Sequence, residues 1–205
     1  MGYGVLDFRR RRASGFGGVT TDLVLTVATT TDDETFTIPC QDVGTFDATV
    51  DWGDDSTSAI TAYNDADLAH TYATAGDHQI RIKGTFPNIF FNDGGDKLKV
   101  KSVENLGVVG WEVLTRTFFG CLNMTSFVAG NTDTSSVTDM FATFLRCTSL
   151  TSVDVSSFDT SGVTTMTNLF RDCTSLTSLD LTGFATSGVT TMESMFRDCT
   201  SLTDI

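Results

Sequence analysis

The sequence predicts a mainly β protein in which a small β-sandwich is followed by a short solenoid with a 26-residue period. The first observation is the repeat itself, since Cys121, Cys147, Cys173 and Cys199 stand in strict register. A fixed period of about 20 to 29 residues is typical of a solenoid of stacked turns. The second observation is that short apolar-polar alternations, separated by turn residues, fill the N-terminal half, which is typical of a sandwich.

The composition excludes several functional classes. Of the 205 residues, 40% are hydrophobic, as in ordinary globular proteins, and the net charge is −13. This charge disfavours direct binding to nucleic acid or to an anionic membrane. No apolar run approaches about 18 residues, and the N-terminus lacks the apolar core of a secretory signal, so we expect neither membrane insertion nor a signal peptide.

Residues 1–18 are predicted to form an N-terminal arm, because five glycines disfavour regular structure there. Two interpretations stay open: a disordered tail, or a docking segment that orders on a partner. Its apolar anchors around an arginine block suit an acidic groove on another protein better than nucleic acid. The predicted docking residues are Tyr3, Leu6, Phe8, Arg9, Arg10, Arg11 and Arg12.

Residues 19–103 are predicted to form the sandwich. Turn residues such as Gly53-Asp54-Asp55 separate its short strands. Cys40 is predicted to be a buried strand residue. Alternation places strands at 22–27, 34–38, 48–52, 79–83, 89–91 and 98–103.

One stretch of this region is more specific. The run Val50-Asp51-Trp52-Gly53-Asp54-Asp55-Ser56 is followed by His70-Thr71-Tyr72 and by Gly76-Asp77-His78-Gln79-Ile80-Arg81-Ile82. It resembles the polycystic-kidney-disease (PKD) domain, an immunoglobulin-like sandwich with a W-G-D-G turn and a downstream H-x-Y…G-x-Y-x-V strand. The resemblance covers about residues 20–103 and implies that Trp52 lies in the core and that Tyr72 braces the following turn. Asp55 and His78 depart from the family pattern.

Three aspartates crowd this turn, at Asp51, Asp54 and Asp55. A calcium ion could bind there. A turn whose carboxylates accept hydrogen bonds from backbone amides is the favoured alternative, so we expect no metal or other cofactor.

Residues 104–117 are predicted to be a junction that caps the solenoid and joins it rigidly to the sandwich. The segment is apolar, and Trp111 takes the column held later by Val137, Val163 and Val189.

Residues 118–205 carry the repeats. Leu179 and Leu181 alternate with polar residues and predict a short strand. The spacing of Val189, Met192 and Met195 predicts one helical or 3₁₀ segment on the opposite wall. The predicted repeat core comprises Phe144, Cys147, Leu150, Phe170, Cys173, Leu176, Phe196, Cys199 and Leu202.

The repeated cysteines are predicted to be small buried hydrophobic residues. Their equal spacing lacks the CxxC-like clustering of a zinc site. A disulfide between adjacent repeats stays open if the protein meets an oxidising medium.

The unit from Phe144 to Met166, with Cys147, Leu150 and Phe158-Asp159-Thr160-Ser161 at fixed places, resembles the BspA-type leucine-rich repeat. That pattern is F-x-x-C-x-S-L-x-x-L-D-L-S-x-F-D-T-S-x-V-x-x-M-x-x-M-F. The family is found in bacterial adhesins, similar repeats occur in phage proteins, and the resemblance implies binding instead of catalysis. The first unit departs from the pattern at Ala129-Gly130-Asn131-Thr132, which fits a capping position. The end at Ile205 lies in a strand without a polar cap, so we expect another subunit, or further chain, to cover it.

The strand columns offer a candidate recognition face. Their exposed hydroxyls and carboxylates could bind a glycan or a protein, or they could merely form a solvated surface. The candidate residues are Thr151, Ser152, Asp154, Thr177, Ser178 and Asp180.

No enzyme is predicted. The two histidines, His70 and His78, lie in no recognised nucleophile motif, and no phosphate-binding or dinucleotide fingerprint is present. We therefore predict a non-enzymatic virion structural protein of a bacteriophage: a capsid-decoration, head-fibre or tail-associated protein. Residues 1–18 would anchor it to other virion proteins, and the repeats would face a host surface protein or glycan.

Two alternatives stay open for the function, a bacterial cell-surface adhesin and an intracellular protein-binding scaffold. The corresponding locations are the virion, assembled in the host cytoplasm, or the bacterial surface. We expect a homo-oligomer or a multicopy component of an assembly.

Overall fold

A computed structural model describes residues 20–205, so the predicted docking arm lies outside the described residues. The described part is mainly β and contains no α-helix. Two short 3₁₀ helices span Ala66–Leu68 and Lys97–Lys99. The strands are β1 (Leu23–Thr29), β2 (Glu34–Thr37), β3 (Asp47–Asp51), β4 (Thr57–Ile60), β5 (Ala69–Tyr72), β6 (Gly76–Thr85), β7 (Val100–Asn105), β8 (Ser126–Val128) and β9 (Ser152–Asp154).

One sheet runs through both halves of the chain. Its seven strands have the order β4-β3-β6-β1-β7-β8-β9, while β2 and β5 form a separate two-stranded sheet. The pairs from β4 to β7 are antiparallel, whereas β7–β8 and β8–β9 are parallel. The parallel part follows from the repeat, because each coil brings the chain back in the same direction. Ser102, Ser126 and Ser152 are therefore lateral neighbours.

The N-terminal core is built around an aromatic group. Trp52 is fully buried and its Nε1 donates to Ser58 Oγ at 3.0 Å. The Tyr72 hydroxyl, also buried, donates to the carbonyl of Trp52 at 3.0 Å. The burial of Trp52 was expected from the sequence and is confirmed. The Tyr72 hydroxyl bonds to a residue 20 positions earlier in the chain, so its expected role in bracing the following turn stays a prediction.

Alternation predicted β1, β2, β3, β6 and β7 to within a few residues, but it did not predict β4 or β5. These two strands are four residues each and have the sequences TSAI and AHTY. Each buries a single large apolar side chain, Ile60 or Tyr72. One buried side chain gives too few positions for a period of two to be recognised.

The predicted strand at 89–91 is wrong. Pro87 has no N–H to contribute to a ladder, and the backbone bonds of the segment go elsewhere. The N–H of Phe90 donates to Pro39 O at 2.8 Å, and that of Phe91 donates to Thr117 O at 3.3 Å. The segment is a loop that packs on the first repeat. Cys40 is likewise half-buried and lies outside any strand, which corrects its predicted placement.

The wall of the repeats opposite the strands consists of consecutive tight turns, so the predicted helical or 3₁₀ segment is wrong. The φ angles of Ala142 (57°) and Arg146 (61°) are positive, and a right-handed helix cannot continue through them. The same sign recurs at Asn168, Asp172, Ser194 and Asp198. We call this surface the turn wall; it comprises residues 114–121, 140–147, 166–173 and 192–199.

The strand predicted around Leu179 and Leu181 is reduced to one isolated bridge, between Ser178 and Asp204. The equivalent segments of the two preceding repeats form β8 and β9. We call the surface formed by β8, β9 and residues 177–182 the strand wall.

Phenylalanines stack along the interior of the repeats. The rings of Phe118 and Phe144 are 5.7 Å apart, those of Phe144 and Phe170 are 5.2 Å apart, and those of Phe170 and Phe196 are 6.1 Å apart. The corresponding interplanar angles are 14°, 2° and 3°, so the rings are nearly parallel. Trp111, which precedes the first repeat, is buried and donates from Nε1 to Leu106 O at 3.0 Å.

Candidate recognition surface

The strand wall brings the six candidate recognition residues together on one exposed face. Thr151, Ser152 and Asp154 lie along β9, and Thr177, Ser178 and Asp180 occupy the equivalent places one repeat later. All six side chains are exposed. A shallow groove of about 500 Å³ crosses the face; it is lined by Thr151, Ser152, Ser178 and Asp180 and continues to Asp204 and Ile205.

The hydroxyls of this face are of two kinds. Thr151 Oγ1 donates to Thr125 O at 3.1 Å, and Thr203 Oγ1 donates to Thr177 O at 3.2 Å, so these hydroxyls tie one coil to the preceding coil. Within residues 20–205, the hydroxyls of Ser152 and Ser178 make no such bond. The two serines therefore retain both a donor and an acceptor for a ligand.

Each of the two aspartates holds the local backbone with one carboxylate oxygen and exposes the other. Asp180 Oδ1 accepts from the backbone N–H of Thr182 at 2.9 Å and from its hydroxyl at 2.7 Å. These bonds lower the pKa of Asp180. Asp154 makes the same pair of bonds with Ser156, at 3.0 and 2.7 Å. In both residues the other carboxylate oxygen is left to accept hydrogen bonds from outside.

The chemistry of the groove is polar and acidic. Asp180 and Asp204 line it, and no lysine or arginine does. Carboxylates and serine hydroxyls accept hydrogen bonds from hydroxyl, amide and ammonium groups. The groove is thus suited to a glycan or to a neutral or basic protein surface, and it disfavours phosphate or sulfate.

The aspartates near Trp52 close a turn. Asp51 Oδ1 accepts from the N–H of Gly53 at 3.0 Å, and Asp54 Oδ1 accepts from the N–H of Ser56 at 3.1 Å. These are the amide bonds expected of the favoured alternative. In the described part of the chain, no group of three potential ligands is placed to hold a metal ion.

A Ser-His-Asp cluster at this turn was missed by the sequence reasoning. His70 Nε2 lies 2.7 Å from Asp54 Oδ2 and 3.5 Å from Ser56 Oγ, and Ser56 Oγ donates to Asp54 Oδ1 at 2.5 Å. In a catalytic triad the acid and the nucleophile bond to different nitrogens of the imidazole. Here both bond to Nε2, and the serine proton already lies on the carboxylate side. The cluster therefore does not activate Ser56.

The same histidine belongs to an aromatic stack. His70 packs parallel to Trp52 at 5.0 Å and edge-on to Tyr72 at 4.6 Å, and the other face of the group is covered by His78, 3.6 Å from the Tyr72 ring. Burial lowers the pKa of His78, although nearby aspartates oppose the shift. Partial burial acts to raise the pKa of Asp54, but hydrogen bonds from Ser56 and His70 outweigh it and lower that pKa.

The repeated cysteines occupy equivalent environments. Cys147 Sγ donates to Phe118 O at 3.2 Å, and Cys173 Sγ donates to Phe144 O at 3.2 Å. Both thiols are free and fully buried, and burial raises their pKa. Neutral buried thiols of this kind pack as small apolar groups and are poor nucleophiles.

The predicted repeat-core residues divide by position in the stack. Those of the two middle repeats are fully buried, namely Phe144, Cys147, Leu150, Phe170, Cys173 and Leu176. Phe196, Cys199 and Leu202, in the last repeat, are partly buried and pack against the others.

Comparison with known proteins places the likeness in the repeat half. Residues 112–205 match a family described as "Mycoplasma protein of unknown function, DUF285". The match begins at the junction, covers all four repeats and leaves residues 1–111 outside. No curated protein and no solved structure gives a significant match. In residues 20–205 there is no helix of sufficient length and apolarity to cross a bilayer.

Proposed function

We propose that the chain is a non-catalytic display protein whose strand wall binds a glycan or a protein surface. The observation that carries the proposal is the groove on the strand wall, where Ser152 and Ser178 keep free hydroxyls beside an outward carboxylate oxygen of Asp180. The one Ser-His-Asp cluster found among residues 20–205 lacks the geometry of a triad, which supports binding over catalysis.

We further propose that residues 118–205 are a BspA-type leucine-rich-repeat solenoid and that residues 19–103 are a PKD-like immunoglobulin-type sandwich. The stacked rings and the coil-to-coil hydrogen bonds support the first assignment. The buried Trp52 braced by the Tyr72 hydroxyl, together with two separate antiparallel sheet regions, supports the second. In this arrangement the sandwich holds the first coil and the repeats extend away from it.

In its most specific form, the proposal is that the protein is a structural component of a bacteriophage particle, held by residues 1–18 and displaying the repeats outward. The basic-aromatic composition of the arm supports it. A bacterial cell-surface adhesin is the second candidate. An intracellular scaffold remains the third interpretation.

Binding can be tested with the purified protein on arrays of bacterial surface glycans and on whole cells. The double variant Ser152→Ala/Ser178→Ala should weaken binding about 30-fold, since each of the two neutral hydrogen bonds contributes about 1 kcal/mol. Ser187→Ala removes an exposed serine from a turn outside the strand wall and is the control. Equal binding by all three proteins would contradict the assignment of the site.

Whether the protein belongs to a virion, to a bacterial surface or to the cytoplasm can be tested separately. Deletion of residues 1–18 should abolish incorporation into particles if the protein is a virion component. Symmetric copies of the chain in a cryo-electron microscopy map of the particle would establish that setting. Normal surface display of the deleted protein on bacteria would favour the adhesin, and cytoplasmic retention would favour the scaffold.

A further inference from the structure

The backbone hydrogen bonds that join successive coils along the turn wall all point in one direction. The N–H groups of Ala142, Phe144 and Arg146 donate to carbonyls of the following coil, at 3.0, 2.9 and 2.8 Å. One coil later, Asn168 and Phe170 do the same, each at 3.0 Å. The intervening residues bond three residues back within their own coil. On the turn wall, each coil therefore presents carbonyls to the coil before it and N–H groups to the coil after it.

The carbonyl edge of the first coil is already covered. The N–H groups of Phe91 and Asp93, in the loop that follows Pro87, donate to the carbonyls of Thr117 and Phe119 at 3.3 and 2.9 Å. The loop thus places N–H donors two residues apart against this edge, as a preceding coil would. The Asp93 carboxylate forms a 2.8 Å ion pair with Arg146, which fastens the loop across two coils.

The opposite edge presents donors. The N–H groups of Met192, Ser194, Phe196 and Asp198 occupy the same positions in the last coil and have no acceptor among residues 20–205. Met192 is 41% exposed, and the Phe196 ring is only partly buried, whereas Met166 and Phe170 are fully buried in the preceding coil.

We propose that this donor edge, residues 192–198, binds one further coil of the same repeat type. The occupant is a polypeptide segment with carbonyls at alternate residues and a phenylalanine ring that stacks on Phe196. Both requirements are read from the coil-to-coil interface that the structure repeats three times, of which this edge is the continuation.

The direction of the hydrogen bonds in the turn wall disfavours a second copy of residues 20–205 as the occupant. A two-fold dimer that sets the two donor edges against each other would place N–H groups against N–H groups. A head-to-tail copy would need an open carbonyl edge on the turn wall, but the loop at Phe91 and Asp93 closes that edge. A coil whose carbonyl edge is not capped meets both requirements.

The test is to append a copy of residues 180–205 directly after Ile205 in the full-length protein. Hydrogen exchange at the amides of Ser194 and Phe196 should slow by about tenfold or more, because the added coil supplies their acceptors and covers the ring. An extension of the same composition in scrambled order is the control, and it should leave both amides as they are in the original protein.

Equal protection from the scrambled extension, or no protection from the repeat copy, would overturn the proposal. Sedimentation of the unextended protein up to high micromolar concentration should give no association that protects the Phe196 amide. A dimer that does protect this amide would also overturn the proposal, since it would show that the donor edge binds a second copy of the protein. Loss of glycan binding would instead bear on the strand wall alone.

Discussion

Gly120 stands in a column of the turn wall whose other members, Arg146, Asp172 and Asp198, carry side chains at φ angles of the same sign. The sign of φ therefore does not by itself require glycine there. The requirement comes from the capping loop: a Cβ at Gly120 would lie 2.2 Å from Asp93 Oδ1, and that carboxylate is fixed by ion pairs to two basic side chains.

We accordingly predict that Gly120→Ala destabilises the protein by about 1–3 kcal/mol, since either the carboxylate or the loop must move. Gly183→Ala is the control, because the nearest atom to a Cβ at that position would be Ser156 O, at an ordinary 3.5 Å. Urea unfolding measures both changes. A Gly120→Ala protein as stable as the control would contradict the prediction, because it would show that the loop can move at little cost in free energy.

The lowered pKa of His78 gives a second prediction about a single residue. Burial lowers its pKa in the folded protein from an ordinary value of 6.5, so the unfolded chain binds more protons near that pH. The contribution of His78 to the free energy of unfolding is therefore present above about pH 6.5 and is lost as the pH falls below it.

Urea unfolding at pH 7.5 and 5.5 should show lower stability at the acidic pH. His78→Phe, which keeps a ring over Tyr72, should reduce the difference between the two values. The aspartates whose pKa is lowered, such as Asp54 and Asp180, act at a pH below about 3.8 and do not contribute in this window. An unchanged pH dependence in the variant would assign the effect to other groups.

Among the structural elements, the phenylalanine stack stabilises the packing of one repeat on the next. Phe144 is fully buried between Phe118 and Phe170, with near-parallel rings on both sides. We predict that Phe144→Ala costs about 3–5 kcal/mol, the usual range for a buried phenylalanine. Phe196→Ala should cost clearly less, because that ring stacks on one side only and is partly exposed. Chemical denaturation of the two variants measures the contrast, and equal costs would contradict it.

The elements also show what the sequence could and could not predict. Cys147 and Cys173 were expected to be equivalent because their spacing repeats, and their thiols do bond to equivalent carbonyls. The turn wall could not be predicted, since positive φ at Ala142 and Ser194 has no signature in residue type, while apolar spacings of 3 and 4 are typical of a helix. The hydroxyl of Ser152 was predicted as part of the recognition face, but only the structure distinguishes it from Thr151, which holds the preceding coil.

In the molecule as a whole, one sheet and one apolar core join the N-terminal strands to the repeats. The core is continuous from Leu23 to Met195, and β7 pairs directly with β8. We therefore predict a single cooperative unfolding transition for residues 20–205, because neither half can unfold without exposing the surface of the other.

Two probes can test this cooperativity. Tryptophan fluorescence reports on Trp52 and Trp111, in the N-terminal core and near the first repeat, and hydrogen exchange at the amides of Phe144 and Phe170 reports on the repeats. The transitions in urea should coincide. A repeat transition at lower urea concentration than the fluorescence transition would show that the halves are independently stable.

The one-way order of the turn wall has an electrostatic consequence. Each peptide unit carries a dipole of about 3.5 D, and units that point the same way add together, as they do along an α-helix. The turn wall therefore has a positive end at the amides near Phe196 and a negative end under the loop at Asp93. In a chain of net charge −13, the aligned amides near Phe196 place a positive partial charge on the protein surface that comes from the main chain alone.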